Sequence, residues 1–372
     1  MQSLSLEPNR QSKMRRRLML LSVGVASILT SQPAPVLADA AVTVYASGLR
    51  NPRGLKFGPD GNLYVAEAGL GGTTSTAGQC TQVVPDVGPY TGSNSGGRIS
   101  KVDSAGTVTT VIDSLPSSQT SATLGNLVSG VADVAFVGDK LYALLAGAGC
   151  SHGVTSLPNA VVRINSDNTA TLVADLSAFQ KTHPTAVIEE DDFEPDGTWY
   201  SMVEVRGALY AVEPNHGEID KVTLSGEITR VIDVSAKEGH VVPTVIAYHG
   251  NFYVGNLGTF PQALGSSKVW KVNPGGQMKA EAGGFDMILG VAFDDRDQMY
   301  VLEMAAQKPA PDAFAGRVTR VKPSGEKEIV ADHLMLPTGI TMGPDGNLYV
   351  SAFGFGVPPA LGLGQVLKIA LH

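Results

Sequence analysis

Three carboxylates and one carboxamide stand at the same place in a repeated phrase. Glu67, Glu213, Asn256 and Glu303 each follow a tyrosine by three positions, after Tyr64, Tyr210, Tyr253 and Tyr300, and two further copies carry Leu145 after Tyr142 and Ala352 after Tyr349. Oxygen ligands of this kind suit calcium or another hard divalent cation, so Glu67, Glu213, Asn256 and Glu303 form a candidate metal set. Convergence at the mouth of a channel would make that chemistry possible. The alternative is structural: each glutamate satisfies backbone N–H groups of the adjoining loop or pairs with a neighbour such as Arg53, itself a candidate ligand-binding residue.

Other groups offer chemistry in smaller measure. The segment 212–218, VEPNHGE, sets Asn215 and His216 between Glu213 and Glu218, where a histidine beside carboxylates could accept a proton or bind a ligand. Pro214 to Gly217 reads equally as a turn. Glu189, Glu190, Asp191, Asp192, Glu194 and Asp196 make a dense acidic run, which reads as a solvated loop, followed by Trp199 and Tyr200 as packing residues at the start of a strand. His152 in GCSHG and His183 in THPT read as loop residues. No GxSxG elbow, HExxH, phosphate-binding GxxxxGK[ST], EF-hand loop or GxGxxG is present.

The elements that must position these residues follow from the repeat. Residues 58–65, GPDGNLYV, recur unchanged at 343–350, and weaker copies centre on Tyr142, Tyr210, Tyr253 and Tyr300. Six copies at this spacing mean six structural units. Each unit expands into four short strands joined by hairpin turns: in the first, 53–57, 63–68, 97–103 and 107–113. Four-stranded antiparallel blades repeated radially make a six-bladed, all-β propeller. The last copy stops after its third strand, and the orphan strand 41–49 resembles the fourth-strand sequences. It is expected to complete the sixth blade and so remove the open edges. Short turns join first to second and third to fourth strands. Length accumulates at 69–96, 115–128, 147–159, 180–198, 257–266 and 305–315, so one face of the disc is loop-rich and is the expected binding face. In the last unit, Phe353, Phe355, Val357, Pro358, Pro359 and Leu361 offer either an apolar patch or a lid.

Composition narrows compartment and partners. Residues 13–17, KMRRR, an apolar run from Leu18 to Thr30, and Val36 and Ala38 before Asp39 fit a secretory signal peptide over 1–38, leaving 39–372 as a single domain, periplasmic or secreted. Its removal moves the formal charge from −8 to −12. An acidic chain is a poor match for nucleic acid or an anionic membrane. Cys80 and Cys150 can pair in an oxidising compartment.

With the six units laid out, NPRGLKFGPDGNLYVAEAG (51–69), VPTVIAYHGNFYVGNLGTFP (242–261), GGFDMILGVAFD (283–294) with MYVLEMA, and LPTGITMGPDGNLYVSAFG (336–354) carry a resemblance over nearly the whole chain beyond residue 38. The chain resembles NHL-type and gluconolactonase-like propellers, and in particular the ScyD/ScyE family of exported propellers. That resemblance implies an extracytoplasmic propeller and no assigned reaction. Gluconolactonase-like relatives place a divalent cation in the central pocket, so Glu67, Glu213, Asn256 and Glu303 would be analogues by location, though their spacing does not match that metal pattern. The expected function is a binding module or scaffold for a small molecule, glycan or envelope protein; the alternative is a divalent-cation-dependent hydrolase or lactonase acting at the channel mouth.

Overall fold

The two ends of the propeller meet in one sheet. In the computed structural model, Val42–Leu49 pairs antiparallel with Gly364–Ile369, Val42 opposite Ile369, and the sheet continues through Leu348–Ala352 to Gly339–Met342. The orphan strand thus completes the sixth blade, as its sequence predicts. Residues 41–188, 193–273, 276–306, 314–355 and 361–371 are described. The segment 1–38, read from the sequence as a signal peptide, lies outside them, and so do Glu189 to Asp192 and Val357 to Pro359. Contacts divide the chain into Met1–Ala38 and Asp39–His372, the second of which holds all the blades.

Every blade repeats one order of strands. The inner strands are Pro52–Phe57, Val131–Val137, Ser201–Val205, Pro243–His249, Ile288–Phe293 and Gly339–Met342. The second strands are Leu63–Glu67, Lys140–Leu145, Ala208–Glu213, Asn251–Asn256, Met299–Glu303 and Leu348–Ala352. Glu67, Leu145, Glu213, Asn256, Glu303 and Ala352 are therefore the last residues of six equivalent strands, the placement the tyrosine spacing implied. Core residues alternate along the strands, because successive side chains point to opposite faces of a sheet. Val65, Val162, Val212, Val254, Val301 and Val350, all fully buried, sit between neighbouring blades.

The first blade departs from the expected pattern. Its third strand starts at Thr91, inside the stretch read as loop, its fourth runs to Gln119, and Val128–Ser129 adds a fifth strand. The long 69–96 connection is tied to the second blade by the Cys80–Cys150 disulfide, with Cα atoms 6.3 Å apart. A short helix, Leu176–Thr182, precedes the third blade, capped by Asp175, whose side chain accepts from the Ala178 N–H. Among the described residues no helix is long and apolar enough to cross a membrane.

Candidate functional site

The four candidate ligands end strands that emerge toward the incoming interblade segment, and each one grips that segment. Glu67 accepts the Arg50 N–H at 2.6 Å, Glu213 the Thr198 N–H at 2.8 Å and Glu303 the Asp286 N–H at 2.9 Å, while the Asn256 amide donates to the Val241 carbonyl at 2.9 Å. Their remaining oxygens turn to the same blade: Glu67 to Ser100 and Arg98, Glu213 to the His216 N–H, Glu303 to the Thr319 hydroxyl, and Asn256 to the Lys268 N–H. The Arg98 guanidinium approaches Glu67 to 2.6 Å, with the carboxylate fully buried. Burial pushes the Glu303 carboxyl above the usual range.

A backbone reason explains polar groups here. Asn51, Val242 and Met287, each next to a gripped residue, have φ of 52°, 55° and 50°. Left-handed backbone is unfavourable for any residue with a Cβ, and most of all for a β-branched one, at roughly 1–3 kcal/mol each. Hydrogen bonds from the strand end hold the chain in that turn as it enters the next blade. The structure therefore separates the four candidate ligands into four blades, each with its own protein partners. Among the described residues no three His, Cys, Asp or Glu side chains are grouped so as to hold a metal ion.

Arg53 belongs instead to the central channel. Its guanidinium donates to the Gly354 carbonyl of the sixth blade and, at 2.7 Å, to the Val128 carbonyl of the first. Burial lowers its pKa. Tyr200, at the equivalent entry of the third blade, donates its hydroxyl to the Thr338 carbonyl at 3.0 Å, and burial lifts its pKa to about 12. Tyr200 also packs against the apolar cluster of Met287, Leu289, Met304 and Ala305. Arg53 and Tyr200 thus tie blades across the channel where the inner strands begin.

Farther along the inner strands the channel holds a cavity of about 240 Å³, lined among others by Lys56, Asp133, Ser201 and Thr341. Asp133 accepts the Val134 and Met202 N–H groups, both at 2.8 Å, and burial raises its pKa to about 6 against the lowering effect of Lys56. Its approach requires a glycine opposite, since a Cβ at Gly54 would lie 1.9 Å from an Asp133 oxygen. The Lys56 ammonium makes no hydrogen bond or close ion pair among the described residues, which leaves it to the cavity.

Asn215 and His216 lie in the turn that the sequence allowed, at 214–217. The His216 ring meets the Glu194 carbonyl at 2.9 Å. Two members of the acidic run differ from their reading as a solvated loop: Glu194 and Asp196 are 4% and 3% exposed. Tyr90 donates to Glu194 at 2.8 Å, and Ser151 donates to Asp196 through both its N–H and its hydroxyl at 2.7 Å. His152 is not a free loop residue either. Its Nδ1 lies 3.0 Å from the Ser118 hydroxyl and its Nε2 3.7 Å from Glu194, and burial lowers its pKa to about 4. Serine, histidine and carboxylate in that order resemble a nucleophilic relay, yet Ser118 and His152 are fully buried, so no substrate reaches the hydroxyl. The group joins the 69–96 loop, the disulfide-bearing loop and the 193–200 segment. Sequence inspection could not find it, because its members come from four separate segments.

No family model matches this chain, and no curated protein matches it. Solved structures do. A putative oxidoreductase (glucose dehydrogenase) from Thermus thermophilus is 16% identical with a TM-score of 0.54, covering 89% of this chain and 100% of its own. An auxiliary nutrient binding protein from Bacteroides thetaiotaomicron is 10% identical with a TM-score of 0.52, covering 88% of this chain and 76% of its own. A calcium-binding protein, regucalcin, from Agrobacterium tumefaciens is 13% identical with a TM-score of 0.50, covering 89% and 94%. At such identities the likeness is one of fold alone: a six-bladed β-propeller.

Proposed function

We propose that this protein is an exported binding module of the ScyD/ScyE type that holds a small, hydroxylated, anionic molecule in the central channel. The observation that carries this reading is Lys56 lining a 240 Å³ cavity whose other polar side chains include Asp133, Ser201, Thr341, Thr338, Tyr200 and His249. A carboxylate on Lys56 and hydroxyls on Asp133 and Ser201 would satisfy the wall, and a concave site with few convergent polar groups is the usual form of a small-molecule pocket. Export is supported by the Cys80–Cys150 bond, since such bonds persist in oxidising compartments. A similar structure, the auxiliary nutrient binding protein, shares the fold and is named for binding, which is consistent with this reading.

The test is thermal unfolding in the presence of C5 and C6 sugars and sugar acids, with D-gluconate as the first probe. A saturable rise in Tm, lost in Lys56→Gln while the variant remains folded, is expected. A Tm insensitive to every member of the set, or a rise that Lys56→Gln leaves intact, overturns the channel site.

A further inference from the structure

A second site is visible where the repeat breaks its own rule. In all six blades a basic residue of the third strand sits opposite the repeat tyrosine: Lys101, Arg163, Lys221, Lys271, Arg320 and Lys368. In three blades an aspartate from the first turn completes the set. Tyr64 donates to Asp60 at 3.0 Å, Tyr300 to Asp294 at 3.1 Å and Tyr349 to Asp345 at 3.0 Å, and Lys368 meets Asp345 at 2.6 Å. Asp60 and Asp345 stand four residues before their tyrosines; in the fourth blade that position is His249. His249 turns away, stacking on Phe293 at 4.6 Å and reaching Asp297 of the fifth blade at 2.6 Å.

Among the described residues no carboxylate then bonds to Tyr253 or pairs with Lys271, although Glu281 and Asp297 line the same groove. Lys271 lies over the Tyr253 ring at 5.7 Å and makes no ion pair among the described residues. The second and third blades also lack the aspartate, but there the neighbourhood is filled differently: Arg163 turns to Asn165, and Phe252 packs on Tyr210 at 4.6 Å. Beside Tyr253 and Lys271 a groove of about 440 Å³ opens between the fourth and fifth blades, with Met299 and Val321 as apolar floor and Glu281 exposed among its lining residues.

We infer that this groove binds a monoanionic pyranose of the uronate class, whose carboxylate takes the place that Asp60, Asp294 and Asp345 hold in the other blades. Lys271 supplies the opposing charge and the Tyr253 hydroxyl a hydrogen bond. The apolar floor takes the C–H face of the sugar ring. Glu281 accepts a ring hydroxyl and repels a second negative charge, which selects against polyanions. The groove's anchor, Lys271, is distinct from the channel cavity's Lys56, although His249 and Phe293 line both cavities, and the inference does not depend on the function proposed above.

Calorimetric titration of the purified protein with D-glucuronate tests it, with D-glucose as the uncharged ring and inorganic phosphate as the anion without a ring. Saturable glucuronate binding that exceeds both controls is expected. Lys271→Gln should weaken it by roughly tenfold or more, the loss of one charge-assisted contact, while Lys221→Gln in the third blade leaves it unchanged. His249→Asp rebuilds the missing carboxylate and should abolish binding in a folded protein, which keeps the idea testable if Lys271→Gln does not fold. Absence of saturable glucuronate binding, equal binding of phosphate, or binding that survives Lys271→Gln or His249→Asp overturns the inference. Binding lost in Lys56→Gln but kept in Lys271→Gln assigns the ligand to the channel alone and overturns it as well.

Discussion

Replacing Glu67 by glutamine separates a structural clamp from a metal ligand. The carboxylate accepts from the Arg50 N–H, from Arg98 twice and from Ser100, and Arg98 itself is only 11% exposed at its side chain. Glutamine keeps the shape but removes the charge that compensates Arg98, and it turns an amide N–H₂ toward donors. Breaking a buried ion pair from one side costs roughly 3–5 kcal/mol. Unfolding entropy of about 2.1 cal/mol/K per residue gives a chain of this size roughly 0.7 kcal/mol/K, so Tm should fall by about 4–7 °C. Glu303→Gln should cost less, about 1–2 kcal/mol, because among the described residues Glu303 accepts the Asp286 N–H and the Thr319 hydroxyl and no guanidinium. The assay is calorimetric unfolding of wild type and both variants, once with EDTA and once with calcium. A calcium site would add about 2.7 kcal/mol to the wild type at a hundred times its Kd. If Glu67→Gln unfolds within a degree of wild type in EDTA while calcium stabilises the wild type alone, the clamp reasoning is refuted and Glu67 is a ligand.

Three further outcomes follow from buried groups and from the cross-link. The His152 ring, whose pKa burial lowers to about 4, should stay neutral at pH 6 by NMR. Since its folded pKa lies below the unfolded one, its contribution to stability is present above about pH 6.5 and fades by roughly 3 kcal/mol as pH falls to 4; a midpoint near 6.5 contradicts the burial argument. Asp220 is fully buried with both carboxylate oxygens unpartnered, and burial together with Glu218 raises its pKa to about 8. Raised on folding, it contributes stability at low pH that is lost as pH climbs from the ordinary carboxylate range through 8, so Asp220→Asn should gain on wild type over that window in urea unfolding; a pH-independent difference would show that Asp220 does not titrate there. Reduction of Cys80–Cys150, separated by 70 residues, should lower stability by about 4 kcal/mol, read as a fall in Tm on adding dithiothreitol, and an unchanged Tm would mean the reduced chain keeps these loops together.

The sequence alone determined the blade count, the strand order and the closure. The repeated Tyr phrase recurs at the scale of one blade, and the strand Val42–Leu49 carries a fourth-strand pattern with no third strand beside it in the chain. Both are local signals, because a strand's alternation and its turns are written in consecutive residues. The equivalence of Glu67, Glu213, Asn256 and Glu303 was legible for the same reason. Which atoms their oxygens meet was not: the partner of Glu67 is Arg98, 31 residues away, and Tyr90 reaches Glu194 across 104. The acidic run looked solvated because charge density is all that a linear reading offers, whereas the donors that bury Glu194 and Asp196 come from Tyr90, Thr198, Ser151 and Lys181. The vacancy beside Lys271 likewise belongs to tertiary structure. Sequence shows His249 where an aspartate stands in two other copies; only the packing of two blades decides that the histidine turns to Asp297 and that a groove opens beside Lys271.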